Sequence, residues 1–310
     1  MKTEQTLIVG LGVVVVAIAF LYELGFIMPK ERGCEITPDC LKRGLDLPPL
    51  WIFYNDSEVN SRHWADFGSR SSNALNIPLL NLCYKTIANM NGLDYRIEVI
   101  SGLAGVRELL GVDLPDCLRN PKARISFAEE DWIRTAILAK YGGLWVSPSI
   151  ICLKGFGKLC KKTIIAFGQD DEPIYGSSVP GFRVLWVPVA QHPTMIMWEE
   201  RCRDRLDNQL GGRQVRSDCK SDWVEFVAAD AEVKRVEELG RDPKTNKKLQ
   251  LEDLFAVGEP SFTIPEEAIY LVIPLNELLT RRAFGWVLMN SEAQIEESDL
   301  VINNILMKSQ

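Results

Sequence analysis

Asp131 and Arg134 stand three apart in the stretch FAEEDWIRTAILAKY, residues 127–141, and shortly beyond it comes the tripeptide Ser147-Pro148-Ser149. An i,i+3 spacing puts a carboxylate and a guanidinium on one side of a helix. There they either face a common crevice or form an ordinary surface ion pair, which contributes little. The two serines interrupt the apolar run LWVSPSIICL, residues 144–153, where a buried strand would continue with β-branched residues. Ligands of α/β sheets bind beyond the carboxyl ends of strands. A bend carrying two hydroxyls at Ser147 and Ser149 would stand at such an edge, unless it is a plain edge bulge.

The elements around these residues are legible. Ser126 and Glu129 form an S-x-x-E capping box, Ile133, Ala136, Ile137 and Tyr141 recur at helical spacing, and Gly142-Gly143 supplies a stop. The spacing predicts a helix over 126–141, packed beside a central strand over 144–146. Further strands are expected at 50–54 (LWIFY), 95–100 (YRIEVI), 163–167 (TIIAF) and 183–189 (RVLWVPV), and FGWVLM near the C-terminus reads as strand-like. Helices are expected from Ile77, with Pro78 in the first turn and Gly92 as the stop, and from Pro193 to a glycine pair at 211–212. SDLVINNILM reads as a last helix, and GRDPKTNKKLQ, residues 240–250, as a loop. Strand, helix and strand in succession predict an α/β sheet. No shift in composition divides residues 50–310.

The first segment differs. Leu7–Met28 holds a single charge, Glu23, and as a helix would be roughly 33 Å long, enough to cross a hydrocarbon core. A membrane anchor over residues 1–28 is expected. A cleaved signal peptide, with Ala17-Ile18-Ala19 as the site, and a buried core helix are the competing readings. Lys2 before the span and Lys30 and Arg32 after it, offset by Glu31, give only a weak positive-inside bias, so the orientation is left open. Residues 29–49 read as a short polar stem.

With 46% hydrophobic and 25% charged residues among 310, the chain has globular composition, and a net charge of −7 argues against nucleic acid as a main partner. Eight cysteines without a CxxC and only two histidines, His63 and His192, argue against structural zinc. Cys34 and Cys40 are close enough in sequence to pair in an oxidising lumen, whereas Cys83 and Cys152 lie in apolar runs and read as buried thiols. His192 reads as a loop or capping residue. The acidic run from Gln169 to Glu172 reads as a solvated turn rather than a metal site.

The block FAEEDWIRTAILAKYGGLWVSPSIICLKGF resembles the core of glycosyltransferases with the DXD sugar-binding motif, especially the capsular polysaccharide synthesis group. By position, Asp131 and Arg134 fall on that family's helix aspartate and arginine, Tyr141-Gly142-Gly143 on its Tyr-Gly-Gly, and Trp145 on its aromatic. Ser147 falls on the first Asp of the motif, and Ser149 on its second Asp or on the Thr that some relatives have there. LWIFYND resembles the family's first strand, whose terminal aromatic lies near the nucleotide base; Tyr54 or Phe53 would be that residue. The resemblance implies a GT-A-like domain over 50–310, a mostly parallel sheet between helices, that binds a nucleotide-sugar at the strand ends. In the family, the helix Asp and Arg contact sugar or ribose, and the DXD carboxylates hold Mn²⁺ or Mg²⁺ on the diphosphate. Here Ser149 is a mild change, since some relatives have Thr there, but Ser147 replaces the Asp that both versions keep, and hydroxyls are poor ligands for a hard divalent cation. No bound metal is therefore expected.

Two functions follow. One is a membrane-anchored glycosyltransferase acting between a nucleotide-sugar and a glycan acceptor, with weak or no dependence on metal. The other is a catalytically inactive accessory or structural subunit of a membrane protein complex built on the same fold. Either would sit at an endomembrane lumen or organelle membrane.

Overall fold

A computed structural model describes residues 47–55, 77–111, 114–119, 125–159, 162–168, 179–208 and 218–309. Leu47–Gln310 form one compact unit, and the preceding unit, Met1–Asp46, lies outside the described residues. The expected anchor, nearly all of the expected stem, Cys34, Cys40 and His63 lie outside them too. Among the described residues no helix is long and apolar enough to cross a membrane.

In chain order the elements begin with β1 (Pro49–Tyr54), α1 (Pro78–Asn91), β2 (Arg96–Ser101), α2 (Gly102–Leu110) and α3 (Asp116–Arg119). Then come α4 (Phe127–Tyr141), β3 (Gly143–Val146), β4 (Ile150–Cys152), β5 (Ile164–Phe167) and β6 (Val184–Val187). The second half holds α5 (Pro193–Asp207), α6 (Cys219–Glu225), β7 (Ala231–Lys234), β8 (Glu238–Leu239), α7 (Leu251–Leu254) and β9 (Tyr270–Val272). Four short helices close the chain: α8 (Leu275–Thr280), α9 (Gly285–Met289), α10 (Glu292–Glu296) and α11 (Val301–Lys308).

The fold is mixed α/β. Six strands form one sheet in the order β2-β1-β3-β6-β5-β7, and β4, β9 and β8 form a second, smaller one. In the large sheet β1 pairs in parallel with β2 and β3, and β5 with β7, while β6 runs against both β3 and β5. Five strands therefore point one way. Alternation along each strand feeds two cores: Leu50, Ile52, Leu144, Val146, Val184 and Trp186 face one side, and Trp51, Phe53, Trp145, Leu185 and Val187 the other. The second side is covered by α4 and α5. The first is covered by α1, the small sheet and the C-terminal helices, so the large sheet does not lie simply between two layers of helix.

The capping box of α4 is formed in both directions: Glu129 N donates to Ser126 Oγ at 3.3 Å, and Ser126 N to Glu129 Oε2 at 2.6 Å. The helix is buried over a wider arc than its apolar stripe predicts, with all of 132–139 buried. It is enclosed by the sheet on one side and α5 on the other, where Trp132 Nε1 donates to Glu199 at 2.8 Å. The glycines that end α4 are required sterically. Gly143 has φ 98°, and a Cβ there would lie 2.4 Å from the Pro49 carbonyl oxygen.

Three expectations are corrected. FGWVLM is not a strand: it forms a 3₁₀ turn ending at Phe284 and helix α9, because Phe284, Val287 and Leu288 bury at helical spacing while Trp286 and Met289 stay exposed. Helix α5 stops at Asp207, with Asn208 as its C-cap, before the expected glycine pair. Pro49, counted in the stem, opens β1.

Candidate functional site

At the carboxyl ends of β1 and β3 the described residues enclose a cavity of about 590 Å³. Phe53, Asp131, Arg134, Ser147 and Ser149 all line it. Each is delivered by a different local rule. Phe53 arrives by strand parity: its ring lies 6.2 Å from that of Trp145, on the α4 side of the sheet. Tyr54, one residue on, turns to the opposite face among Cys83 and α1 and does not line the cavity. Its hydroxyl has no hydrogen-bond partner, and burial pushes its phenol pKa up. Of the two candidate aromatics, only Phe53 reaches the site.

Asp131 and Arg134 form an ion pair with Nη2 to Oδ1 at 2.5 Å, but not a surface pair: their side chains are 16% and 8% exposed. The guanidinium also donates to the Phe182 carbonyl at 3.5 Å, lies 5.5 Å from the centre of the Phe182 ring and approaches Cys219 Sγ at 3.8 Å. Burial alone would depress its pKa, but Asp131, Cys219 and Glu130 leave it raised. The Nε of Arg134 has no hydrogen-bond partner. Phe182 itself takes a positive φ of 51°, which bulky residues rarely adopt. Edge-on and tilted ring contacts with Trp198 and Trp223, with centroids 5.4 and 5.6 Å away, hold it there.

Ser147 and Ser149 lie on a turn. Their Oγ atoms are 3.1 Å apart, Ser147 N donates to the Arg183 carbonyl at 2.8 Å, and the Ser149 carbonyl accepts from Ile273 N at 2.9 Å. The interruption thus carries the chain from β3 in the large sheet to β4 in the small one. Pro148, with no N–H to donate, suits the point where one ladder ends.

The donor set does not suit a divalent cation. Hydroxyls occupy both turn positions, Asp131 is bound to Arg134, and Arg183 stands opposite Ser147 across the β3–β6 pair. Among the described residues, three metal-capable side chains converge at Cys202, Cys219 and Asp222. Asp222 there already accepts from Trp198 at 3.1 Å, from Arg201 and from Arg205, so a second cation would meet two guanidiniums. Asp170 and Asp171 lie outside the described residues. His192 is the N-cap of α5, makes no side-chain cap bond and does not line the cavity.

Several lining residues escaped the sequence reading: Asn55, Phe182, Arg183, Cys219, Lys220 and Lys248. Asn55 was within reach of it, being next after the strand whose end was singled out. The others come from distant segments and carry no local motif. Cys202 and Cys219 lie 17 residues apart in sequence, yet their sulfurs are 3.9 Å apart, and this contact together with burial pushes the Cys219 thiol well up. Compared with known proteins, the chain matches no family model and no curated protein.

Proposed function

We propose that residues 50–310 form a GT-A-like nucleotide-sugar-binding domain that transfers a sugar to a glycan acceptor with weak or no dependence on metal, held at a membrane by the apolar segment 7–28. The observation that carries this reading is the convergence of Phe53, Asp131, Arg134, Ser147 and Ser149 on one cavity at the ends of parallel strands. A sheet with only β6 reversed is in keeping with it. In this reading Phe53 lies against the base, Asp131 and Arg134 hold sugar or ribose hydroxyls, and the serine turn meets the diphosphate. No residue is assigned as a catalytic base.

A second reading is favoured by the neutral turn and by the engagement of Asp131 with Arg134. In it the domain binds without catalysing, as an accessory subunit of a membrane assembly. Incubating the full-length protein with labelled nucleotide-sugars tests both. Release of nucleoside diphosphate or transfer to a glycan supports the enzyme. Binding without turnover supports the accessory subunit, and absence of nucleotide binding defeats the site.

A further inference from the structure

We propose that the cavity holds a diphosphate directly, through the cationic side chains of Arg183, Lys220 and Lys248 and the hydroxyls of Ser147 and Ser149, in place of a bridging metal ion. This rests on the nucleotide-sugar reading above and names the groups that would make it work without metal.

The first argument is register. β3 and β6 are antiparallel with Val146 opposite Val184, and the next pair outward is Ser147 with Arg183, joined by the 2.8 Å bond from Ser147 N to the Arg183 carbonyl. Residues directly opposite in an antiparallel pair send their side chains from the same face, with Cβ atoms about 5 Å apart. Arg183 therefore leaves the sheet beside the very position where the family resemblance puts a carboxylate. A metal ion seated there would meet a guanidinium. A phosphate would meet a fixed fork of donors that matches its oxygens.

The second argument is charge. The lining contains Arg134, Arg183, Lys220 and Lys248 against Glu130, Asp131 and Glu277. Arg134 is committed to Asp131. The other three cations come from three separate places: the residue before β6, helix α6 and the 240–250 loop. Arg183 lies 3.7 Å from Glu238, and Lys248 lies 3.7 Å from Glu277 with both side chains over 40% exposed. The Lys248 pair, this long and this exposed, contributes little, so an entering anion displaces it at small cost, whereas Glu238 is only 7% exposed, so Arg183 would meet the anion while remaining its partner.

The third argument concerns the serines. Their hydroxyls, 3.1 Å apart, are poor metal ligands but good donors to phosphate oxygens. Carboxylates at the same two positions would repel a diphosphate unless a cation came between. Hydroxyls on the turn and a guanidinium across the ladder form a consistent pair, just as two carboxylates and a metal would.

The test is calorimetric titration of the full-length protein in detergent with UDP, GDP, ADP, CDP and inorganic pyrophosphate, in EDTA and again with Mn²⁺. At least one nucleoside diphosphate is expected to bind in EDTA, with Mn²⁺ changing its affinity less than about threefold. Each lost charge-assisted contact is expected to weaken binding about tenfold or more. The variant Lys220→Ala with Lys248→Ala should therefore bind at least about tenfold more weakly, and Ser147→Asp should lose binding in EDTA. Arg183→Gln is the sharper variant but disturbs Glu238, so the lysine pair serves where it fails to fold. Binding that requires Mn²⁺, or that survives loss of both lysines, overturns the cradle while leaving the nucleotide-sugar reading in place. No binding of any nucleoside diphosphate in either condition overturns both.

Discussion

Replacing Asp131 by asparagine is expected to destabilise the domain by about 3 kcal/mol, far more than the loss of a surface ion pair. The figure follows from burial. Two unit charges about 4 Å apart attract by about 4 kcal/mol at an effective dielectric constant of about 20, whereas in bulk water they would attract by about 1 kcal/mol. With Arg134 8% exposed, the first value is the relevant one. Asparagine keeps the shape and one acceptor, which returns about 1 kcal/mol. What remains around the guanidinium is a 3.5 Å bond to the Phe182 carbonyl, the Phe182 ring, the Cys219 sulfur and the weaker field of Glu130. None of these replaces the direct contact with Asp131. For a domain of this size the loss corresponds to a fall in Tm of about 6 to 12 °C. Urea unfolding followed by tryptophan fluorescence reads it directly, since Trp132, Trp198 and Trp223 are all buried around the pair. Removing both charges together, as Asp131→Leu with Arg134→Met, is expected to recover most of the loss, because a buried ion pair is costly to halve but not to replace. A cost below about 1 kcal/mol for Asp131→Asn would refute the argument and return the pair to the class of solvated i,i+3 contacts.

Gly143→Ala is expected to cost more than about 2 kcal/mol in the same assay, since a Cβ would lie 2.4 Å from the Pro49 carbonyl oxygen at a φ of 98°; a neutral result would mean that β1 and β3 move apart easily. Burial pushes the Cys152 thiol up to about 12, and Cys83 upward as well, so both are protonated in the fold where the unfolded chain ionises near 9. Their contribution is fully present below pH 9 and is lost as pH rises towards 12, at about 1.4 kcal/mol per pH unit per thiol; urea midpoints that do not fall between pH 9 and 10.5 would contradict this. The full-length chain is expected to stay in the pellet on alkaline carbonate extraction of membranes, and release into the supernatant would remove the anchor.

Some of the molecule is legible because the governing physics is local. The capping box at Ser126, the glycine stop after Tyr141 and the apolar runs of β1 and β3 each act over a few residues, and the structure has them where the sequence puts them. The wider burial of α4 was not legible, because what covers its far side is α5, a tertiary fact. The misreading of FGWVLM has the same origin. Five apolar residues in six fit either period, and the sequence offered nothing to decide which of Phe284, Trp286 and Val287 would be buried. The choice between Phe53 and Tyr54 needed only the parity of β1 relative to α4, yet parity is invisible until the sheet is assembled. Arg183, Lys220 and Lys248 are harder still. Ordinary charged residues on loops and strand ends carry no motif, and only the β3–β6 register brings Arg183 beside Ser147.

The serine turn separates a structural role from a chemical one. The interruption after Val146 has a structural job: it ends the β3 ladder and hands the chain to β4, where the Ser149 carbonyl accepts from Ile273 N. That job is done by the backbone and by Pro148. What it asks of the side chain at 147 is an acceptor for Ser149 N, 3.5 Å from Ser147 Oγ, which a carboxylate can supply as well as a hydroxyl. The turn can therefore keep its backbone with either a hydroxyl or a carboxylate at 147, while the two offer opposite chemistry, the hydroxyl donating to an anion and the carboxylate holding a cation. The difference bears on any attempt to build a metal site here. Ser147→Asp places its new carboxylate about 5 Å, at the Cβ, from Arg183, which would pair with it before a metal ion could. A metal site at this turn therefore needs two changes, a carboxylate gained at 147 and a cation removed at 183. What the turn can bind is therefore set by the strand beside it as well as by its own side chains.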